Sequence, residues 1–204
     1  MPASSSEDGP LSLEVNGKRH DLKNIEKALL AERERMQQPA EFLRTVVLGN
    51  SGAGKSWLAG RLSRHLAIPA IDLDEIYWEP SGYKTARDTS LSAEMVREVS
   101  KTDRWVIEGV YGRLAREALP CATALVWLDM DERECVANLQ KRGSRGGDEA
   151  SFAALVKWAG EYRLRDHANS FAGHQRIVSG FVGPKLVLQS RSDITEFLRR
   201  LIAN

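Results

Sequence analysis

The clearest chemistry in the sequence lies in the run Gly49–Ser56, which reads Gly-Asn-Ser-Gly-Ala-Gly-Lys-Ser. Three glycines let the backbone curl, so that successive N–H groups converge on an anion. Lys55 adds a positive charge, and the hydroxyl of Ser56 is a ligand for Mg²⁺. The run fits the pattern G-x-x-x-x-G-K-[ST], which is typical of loops that bind the phosphates of ATP. The predicted nucleotide-binding residues are Gly49, Asn50, Ser51, Gly52, Ala53, Gly54, Lys55, Ser56 and Trp57.

The segments on either side of this loop predict the context that the motif requires. Residues 45–48 form an apolar, β-branched run that is typical of a buried parallel strand. After the loop, Leu58, Leu62 and Leu66 recur at helical spacing. A helix that begins at the loop directs the positive end of its dipole at the phosphates. We therefore interpret the loop as functional rather than as a chance match.

Two carboxylates, Asp72 and Asp74, follow a second predicted strand over residues 69–73. Alternate residues of a strand face the same way, so the two side chains are expected to project together from its carboxyl end. Ligands of open α/β sheets bind at that end. One carboxylate near Mg²⁺ and one near an acceptor hydroxyl would suit phosphoryl transfer. The alternative is that one or both aspartates only cap the next helix.

The rest of the chain alternates between strands and helices, which predicts an α/β domain with a parallel sheet covered on both faces. Ahead of it, alternating residues around Asn16-Gly17 predict a hairpin, followed by a helix over 22–36 and preceded by a disordered start. We predict an N-terminal extension over 1–40 and a main domain over 41–204. The predicted strands cover 45–48, 69–73, 105–107, 124–128 and 185–188, and the helices 55–67, 90–100, 113–118, 131–141, 151–172 and 193–202.

Composition narrows the classes of partner. The 29 Lys and Arg residues nearly balance the 28 Asp and Glu residues, for a net charge of +1. This balance disfavours a large nucleic-acid interface, and no apolar stretch is long enough to span a membrane. Cys121 and Cys135 form no C-x-x-C pair, so we predict reduced thiols in a cytoplasmic protein. His167 and His174 have no nearby ligand set and are predicted to be solvated.

Three runs together resemble a known group of proteins: Gly49–Ser56, residues 68–78 and residues 105–111. They are similar to the adenylate-kinase-related P-loop NTPases, above all to the topology modulation (FlaR-like) proteins, and the Asp-x-Asp also resembles that of shikimate kinases. The resemblance covers roughly residues 44–202. It implies a three-layer fold with a five-stranded parallel sheet in the order 2-3-1-4-5. It also implies ATP with Mg²⁺, an acceptor pocket after the second strand and a mobile, arginine-bearing lid.

Two departures from the group's pattern bear on the site. Glu108 stands where the third strand usually ends in Asp, and with Ser56 and Asp72 it completes the predicted metal set. Asn138 stands where the lid helix usually carries its first arginine, with Arg142 at the second place. We predict a lid around 141–150, in which Arg142 and Arg145 cover the transferred phosphoryl group, with Arg163 or Arg165 as substitutes.

Several further residues have two interpretations. Tyr77, Trp78 and Tyr83 form either an aromatic wall for a substrate or the packing of a surface loop. Arg113 and Arg116, after Gly109, either hold an acceptor or line a helix. Asp129 is expected to cap the helix that begins near residue 131. The tryptophans at 57, 105, 127 and 158 are favoured as core residues, although Trp57 directly follows the nucleotide loop.

The sequence thus predicts an ATP-dependent phosphotransferase with an unidentified small-molecule or nucleotide acceptor. The predicted catalytic residues are Lys55, Asp74, Arg142 and Arg145, with Tyr77, Trp78, Gly109, Arg113 and Arg116 as candidates for the acceptor site. The alternatives are a nucleotide-binding regulatory protein with slow ATPase activity, and a kinase that acts on a macromolecule.

Overall fold

A computed structural model describes residues 12–15, 18–21, 40–80, 85–144 and 148–203. The chain divides into two compact units, Met1–Gln38 and Pro39–Asn204. In the first unit, β1 (Ser12–Val15) pairs antiparallel with β2 (Lys18–Asp21). The predicted Asn16-Gly17 turn and the predicted helix over 22–36 lie outside the described residues, and the predicted extent of the extension stays a prediction.

The second unit is built on a parallel five-stranded sheet in the order β4–β5–β3–β6–β7. Counted from the first strand of this unit, the order is 2-3-1-4-5, as the resemblance implied. Central β3 is buried from Thr45 to Gly49, which is typical of a strand covered on both faces. The strands are β3 (Arg44–Gly49), β4 (Ala70–Asp72), β5 (Trp105–Gly109), β6 (Ala124–Leu128) and β7 (Lys185–Leu188).

Helices cover both faces of this sheet and give three layers. One apolar core lies between the sheet and the first and last helices, and a second core lies on the opposite face. No helix in the described ranges is long and apolar enough to cross a membrane. The helices are α1 (Lys55–Leu66), α2 (Leu73–Tyr77), α3 (Thr89–Ser100), α4 (Gly112–Ala118), α5 (Glu132–Arg142), α6 (Glu149–Gly160), α7 (Phe171–Gly180) and α8 (Arg191–Ala203).

The second strand ends earlier than predicted, and this changes how the two aspartates are placed. β4 stops at Asp72, and α2 begins at Leu73. The Asp72 carboxylate accepts a hydrogen bond of 2.8 Å from the backbone N–H of Asp74, which caps the helix. Asp74 is therefore a helix residue, and the prediction that strand alternation aligns it with Asp72 is wrong.

The long helix predicted over 151–172 is in fact two helices, α6 and α7. The chain leaves helical geometry at Glu161, and the Ser170 side chain caps α7 by accepting from the Gly173 N–H at 3.2 Å. Buried Tyr162 lies in the connection and continues the apolar pattern, which explains the wrong prediction. The connection packs tightly on α7, since a Cβ on Gly173 would lie 2.2 Å from the His167 carbonyl oxygen.

The prediction of a solvated histidine is wrong for His174, which is fully buried. Its Nε2 lies 2.9 Å from the Val110 carbonyl oxygen, and its Nδ1 lies 2.6 Å from the Tyr162 hydroxyl. Because a carbonyl only accepts, Nε2 carries the proton and Nδ1 accepts from Tyr162. The Tyr162 hydroxyl in turn accepts from Trp127 Nε1 at 3.2 Å. This chain of hydrogen bonds ties α7 and β6 to the segment that follows β5.

Two other expectations are corrected by packing. Trp105 and Trp127 are core residues as predicted, but Trp57 is 52% exposed and is not part of the core. Asp129 does not cap α5, since that role belongs to Asp131, which accepts from the backbone N–H of Arg133. Asp129 is buried instead, where it pairs with Arg163 and accepts from Gln189.

Candidate active site

A cavity of about 640 Å³ lies at the carboxyl ends of β3 and β5. It brings together the exposed side of the Gly49–Ser56 loop, the start of α2 and the end of β5. It also reaches α5 and α6, which flank the predicted lid. The predicted site residues that line it are Ser51, Gly52, Gly54, Lys55, Ser56, Trp57, Asp74, Tyr77, Trp78, Glu108, Gly109 and Arg142.

Backbone geometry explains why the loop needs glycine at two positions. Gly52 and Gly54 have φ of +83° and +96°, in the left-handed region that side chains disfavour. At Gly52 space is also lacking, because a Cβ there would lie 2.2 Å from the Cys135 carbonyl oxygen. Gly54 precedes α1, and Lys55 and Ser56 form its first turn on the cavity wall. The positive end of the helix dipole therefore faces the cavity.

The other predicted loop residues, Gly49, Asn50 and Ala53, are buried and do not line the cavity. Asn50 acts from beneath the loop: its Nδ2 donates to the Ala159 carbonyl at 2.8 Å, and its Oδ1 accepts from the Ser51 N–H at 2.8 Å. The Lys55 ammonium donates to the Asn50 carbonyl at 3.0 Å. Asn50 therefore positions the loop and its lysine, and does not face the cavity itself.

A pair of carboxylates lies where Mg²⁺ was predicted. Asp72 and Glu108 are register partners on β4 and β5, and Glu108 is only 4% exposed. Burial, then the charge of Glu108, raise the pKa of Asp72 to about 6. Two close carboxylates favour a cation between or beside them. Glu108 and Ser56 line the cavity, whereas Asp72 does not line it and instead caps α2.

Within the described residues, no three His, Cys, Asp or Glu side chains group closely enough to hold a metal ion by themselves. Mg²⁺ has no need of such a cage, because it keeps several waters and uses one or two carboxylates together with substrate phosphates. The hydroxyl of Ser56 and the carboxylates of Asp72 and Glu108 therefore fit the ion.

The Asp74 carboxylate is oriented by an aromatic cluster formed by Tyr77, Trp78 and Tyr111. The Tyr111 hydroxyl donates to Asp74 Oδ1 at 2.6 Å and accepts from Trp78 Nε1 at 2.9 Å. Tyr77 stacks on Tyr111, with ring centroids 4.3 Å apart, and meets the edge of Trp78 at 4.9 Å. Burial and the Asp74 charge raise the pKa of Tyr111, so its hydroxyl keeps the proton that it donates. Tyr77 packs against an apolar core, and Tyr77 and Trp78 also line the cavity. That they bind a substrate stays a prediction.

Among the described residues, three cations line the cavity: Lys55, Arg142 and Arg191. Arg191 pairs with Glu134 at 2.6 Å and donates to Asn138 Oδ1 at 2.8 Å. Asn138 in turn donates from Nδ2 to the Gly52 carbonyl at 2.8 Å, so it anchors the loop where the resemblance implied an arginine. Arg142 lies four residues after Asn138 on the same face of α5.

Within the described ranges, the remaining predicted cations do not line this cavity. Arg113 is exposed on α4, and Arg116 lines a separate cavity of about 550 Å³. Arg163 pairs with Asp129 and with Glu132. The Arg165 guanidinium lies 3.7 Å from the centre of the Trp158 ring and does not line the cavity. Arg145, like Tyr83, lies outside the described residues.

The sequence prediction missed several lining residues: Tyr111, Asn169, Arg191, and Phe152, Leu155 and Trp158 on α6. The three-residue spacing of the apolar positions on α6 was a usable signal, but it is typical of any core-facing helix. No pattern in the sequence indicated Asn169, because this residue reaches the cavity through the break between α6 and α7. There its Oδ1 accepts from the Gly112 N–H at 3.0 Å.

Comparison with protein-family models found no match, and comparison with curated proteins also found none. Solved structures do match. A gluconokinase from Sinorhizobium meliloti 1021 is 18% identical, covering 79% of this chain and 91% of its own, with a TM-score of 0.50. A shikimate kinase from Bacteroides thetaiotaomicron is 19% identical, with coverages of 78% and 95% and a TM-score of 0.49. A deoxyadenosine kinase from M. mycoides is 14% identical, with coverages of 78% and 100% and a TM-score of 0.42.

At these identities the likeness is one of fold. The parallel sheet, its strand order and the loop after its central strand agree with the P-loop kinase architecture. Membership of the topology modulation proteins stays a prediction. The unit formed by Pro39–Asn204 therefore has a P-loop kinase fold.

Proposed function

We propose that this protein is an ATP-dependent phosphotransferase that transfers the γ-phosphoryl group of ATP to a hydroxyl group of a small molecule. The observation that carries the proposal is a single cavity shared by Lys55 and Asp74. The first residue belongs to an anion-binding loop, and the second is a carboxylate held in place by a tyrosine hydroxyl. Phosphoryl transfer needs this combination of charge neutralisation and positioning, and no covalent nucleophile of the protein.

The ATP phosphates would bind to the loop N–H groups, the amino end of α1 and the Lys55 ammonium. Ser56, Asp72 and Glu108 would hold Mg²⁺, which neutralises phosphate charge when bound. Arg142, and Arg145 as predicted from the sequence, would cover the transferred group from the lid. Asp74 would accept the proton of the attacking hydroxyl, and Tyr111 would keep its carboxylate in place.

The test is ADP release with and without a mixture of candidate acceptors, for the wild type and Lys55→Ala. We expect stimulation by acceptor in the wild type and a loss of at least about 100-fold in the variant, because the phosphates lose a preorganised charge. Lys101→Ala is a matched control, since Lys101 is an exposed lysine that does not line the cavity.

Two outcomes would contradict the proposal. Wild-type turnover in Lys55→Ala would mean that ATP reacts elsewhere. Slow ADP release that depends on Lys55 but is not stimulated by any acceptor would favour the regulatory ATPase instead.

A further inference from the structure

We propose that the acceptor is an uncharged molecule with a planar ring, of the nucleoside type, which binds on the aromatic side of the cavity around Asp74. This inference rests on the proposed function and narrows it. Three observations carry it: the apolar walls around Asp74, the shortage of free polar groups there, and the position of the cations.

The walls near Asp74 are flat and apolar. Tyr77, Trp78 and Tyr111 line the cavity on the side of α2 and β5, and Trp158 lines it from α6. Aromatic faces stack on other flat rings, and each stacked base contributes roughly 1–3 kcal/mol in other proteins. A planar ring is therefore the body that this side of the cavity fits best.

Two of the polar tips, Trp78 Nε1 and the Tyr111 hydroxyl, are already used within the protein. Trp78 Nε1 donates to the Tyr111 hydroxyl, which donates to Asp74 Oδ1. Among the described residues no hydrogen bond reaches Asp74 Oδ2, so this oxygen is placed to accept one from a substrate hydroxyl. The side-chain amide of Asn169 supplies one further donor, since its Oδ1 is occupied by the Gly112 N–H. A polyol that must satisfy many hydroxyls would leave several of them unpaired here.

Charge separates the two ends of the cavity. Lys55 and Arg191 are held against the phosphate loop by contacts to Asn50 and Asn138, and Arg142 follows on α5. Among the described lining residues, these three are the cations, and none of them belongs to α2 or to the end of β5, the elements that carry Asp74 and its aromatic neighbours. A phosphate or carboxylate on the acceptor would lie near the negative charge of Asp74 with no cation to pair with, which is energetically unfavourable.

In the proposed step the acceptor hydroxyl oxygen forms a bond to the γ-phosphorus of ATP. The bond from that phosphorus to the β–γ bridging oxygen breaks, and its electron pair leaves with ADP. The hydroxyl proton passes to Asp74. Atoms and charge balance with no further reactant.

The experiment compares ADP release with ribo- and deoxyribonucleosides, with their 5′-monophosphates, and with gluconate and shikimate as polyol and hydroxy-acid probes. We expect at least one nucleoside to be accepted with kcat/KM at least about 10-fold above that of its monophosphate, the size of one uncompensated charge contact. Faster transfer to a monophosphate, to gluconate or to shikimate overturns the inference while the proposed function stands. Lys55-dependent ATP binding without transfer to any member of the panel overturns the inference. It contradicts the proposed function as well only when the wider acceptor mixture also gives no stimulation.

Two variants of Tyr77 test the wall directly. Tyr77→Leu keeps an apolar side chain but removes the flat face, and we expect it to raise the nucleoside KM roughly 10-fold or more, with a smaller change in kcat and in the KM of ATP. Tyr77→Phe keeps the ring and should restore the nucleoside KM. Equal nucleoside KM values in Tyr77→Leu and the wild type would show that this ring does not bind the acceptor. If Tyr77→Leu fails to fold, the nucleoside panel on the wild type still decides the inference.

Discussion

Acidification should destabilise this protein through His174. Burial lowers the pKa of this buried imidazole from its ordinary 6.5 to about 4 in the folded protein. The unfolded chain then binds a proton at a higher pH than the folded chain does. The contribution of the buried, neutral imidazole to the free energy of unfolding is therefore fully present above pH 6.5, and it is lost as the pH falls toward 4. The stability lost amounts to about 2 kcal/mol at pH 5 and approaches about 3 kcal/mol below pH 4.

The assay is urea or thermal unfolding of the wild type and of His174→Gln between pH 7.5 and pH 5. The variant should be less stable at every pH, because glutamine cannot keep both contacts, to Val110 and to Tyr162. Its loss of stability on acidification should, however, be about 2 kcal/mol smaller than that of the wild type, or roughly 4–8 °C in Tm. The comparison cancels the pH dependence that the two proteins have in common.

Identical pH dependence in the two proteins would refute this reasoning, because the His174 proton would then bind equally well to both states. If the variant does not fold, direct titration of His174 in the wild type by NMR answers the same question. A pKa near 6.5 in the folded protein would mean that the imidazole is charged at pH 5 without cost.

Three other predictions concern the site and the domain boundary. Asp74→Asn should slow transfer by about 10²–10⁴-fold, the cost of a lost general base, with little change in ATP affinity. Asp72→Asn should instead mainly raise the Mg²⁺ concentration that the reaction requires. Loss of ATP binding in Asp74→Asn would mean that the roles assigned to the two aspartates must be exchanged. Tyr111→Phe should lower kcat by roughly 10- to 100-fold, because a hydrogen bond to a charged group contributes about 1.5–3 kcal/mol; an unchanged kcat would mean that Asp74 holds its position without this contact. A chain that starts at Glu41 should melt cooperatively and bind ATP, and an insoluble product would show that residues 1–40 belong to the domain.

The sheet and the nucleotide loop were accessible to sequence reasoning because each is encoded locally. A strand buried on both faces needs an uninterrupted apolar run, and Thr45–Gly49 supplies one. The Gly49–Ser56 loop has fixed spacing because its backbone geometry is fixed. Strand order, by contrast, came from the resemblance and not from any property of the residues themselves.

The predictions that were wrong depended on tertiary contacts. Asp72 and Asp74 were predicted to face the same way along one strand, but Asp72 caps α2 by accepting a hydrogen bond from the Asp74 N–H, so Asp74 is already a helix residue. The metal role of Asp72 stays a prediction. His174 is polar and appeared solvated, yet its two hydrogen-bond partners come from Val110 and Tyr162, 64 and 12 residues away. The acceptor side of the cavity was the least predictable part, because it is assembled from the ends of several elements.

The anchoring of the nucleotide loop has a mechanical consequence. Asn138 fastens Gly52 to α5, and Asn50 fastens the loop to Ala159 near the end of α6. These two hydrogen bonds lie on either side of the predicted lid. A rigid-body movement of α5 or α6 would therefore also move the Gly49–Ser56 loop, or would break one of the two bonds. If the predicted lid closes over a nucleotide as proposed, we expect the backbone to move at Gly143, whose φ of +75° favours glycine, and not in α5 as a whole.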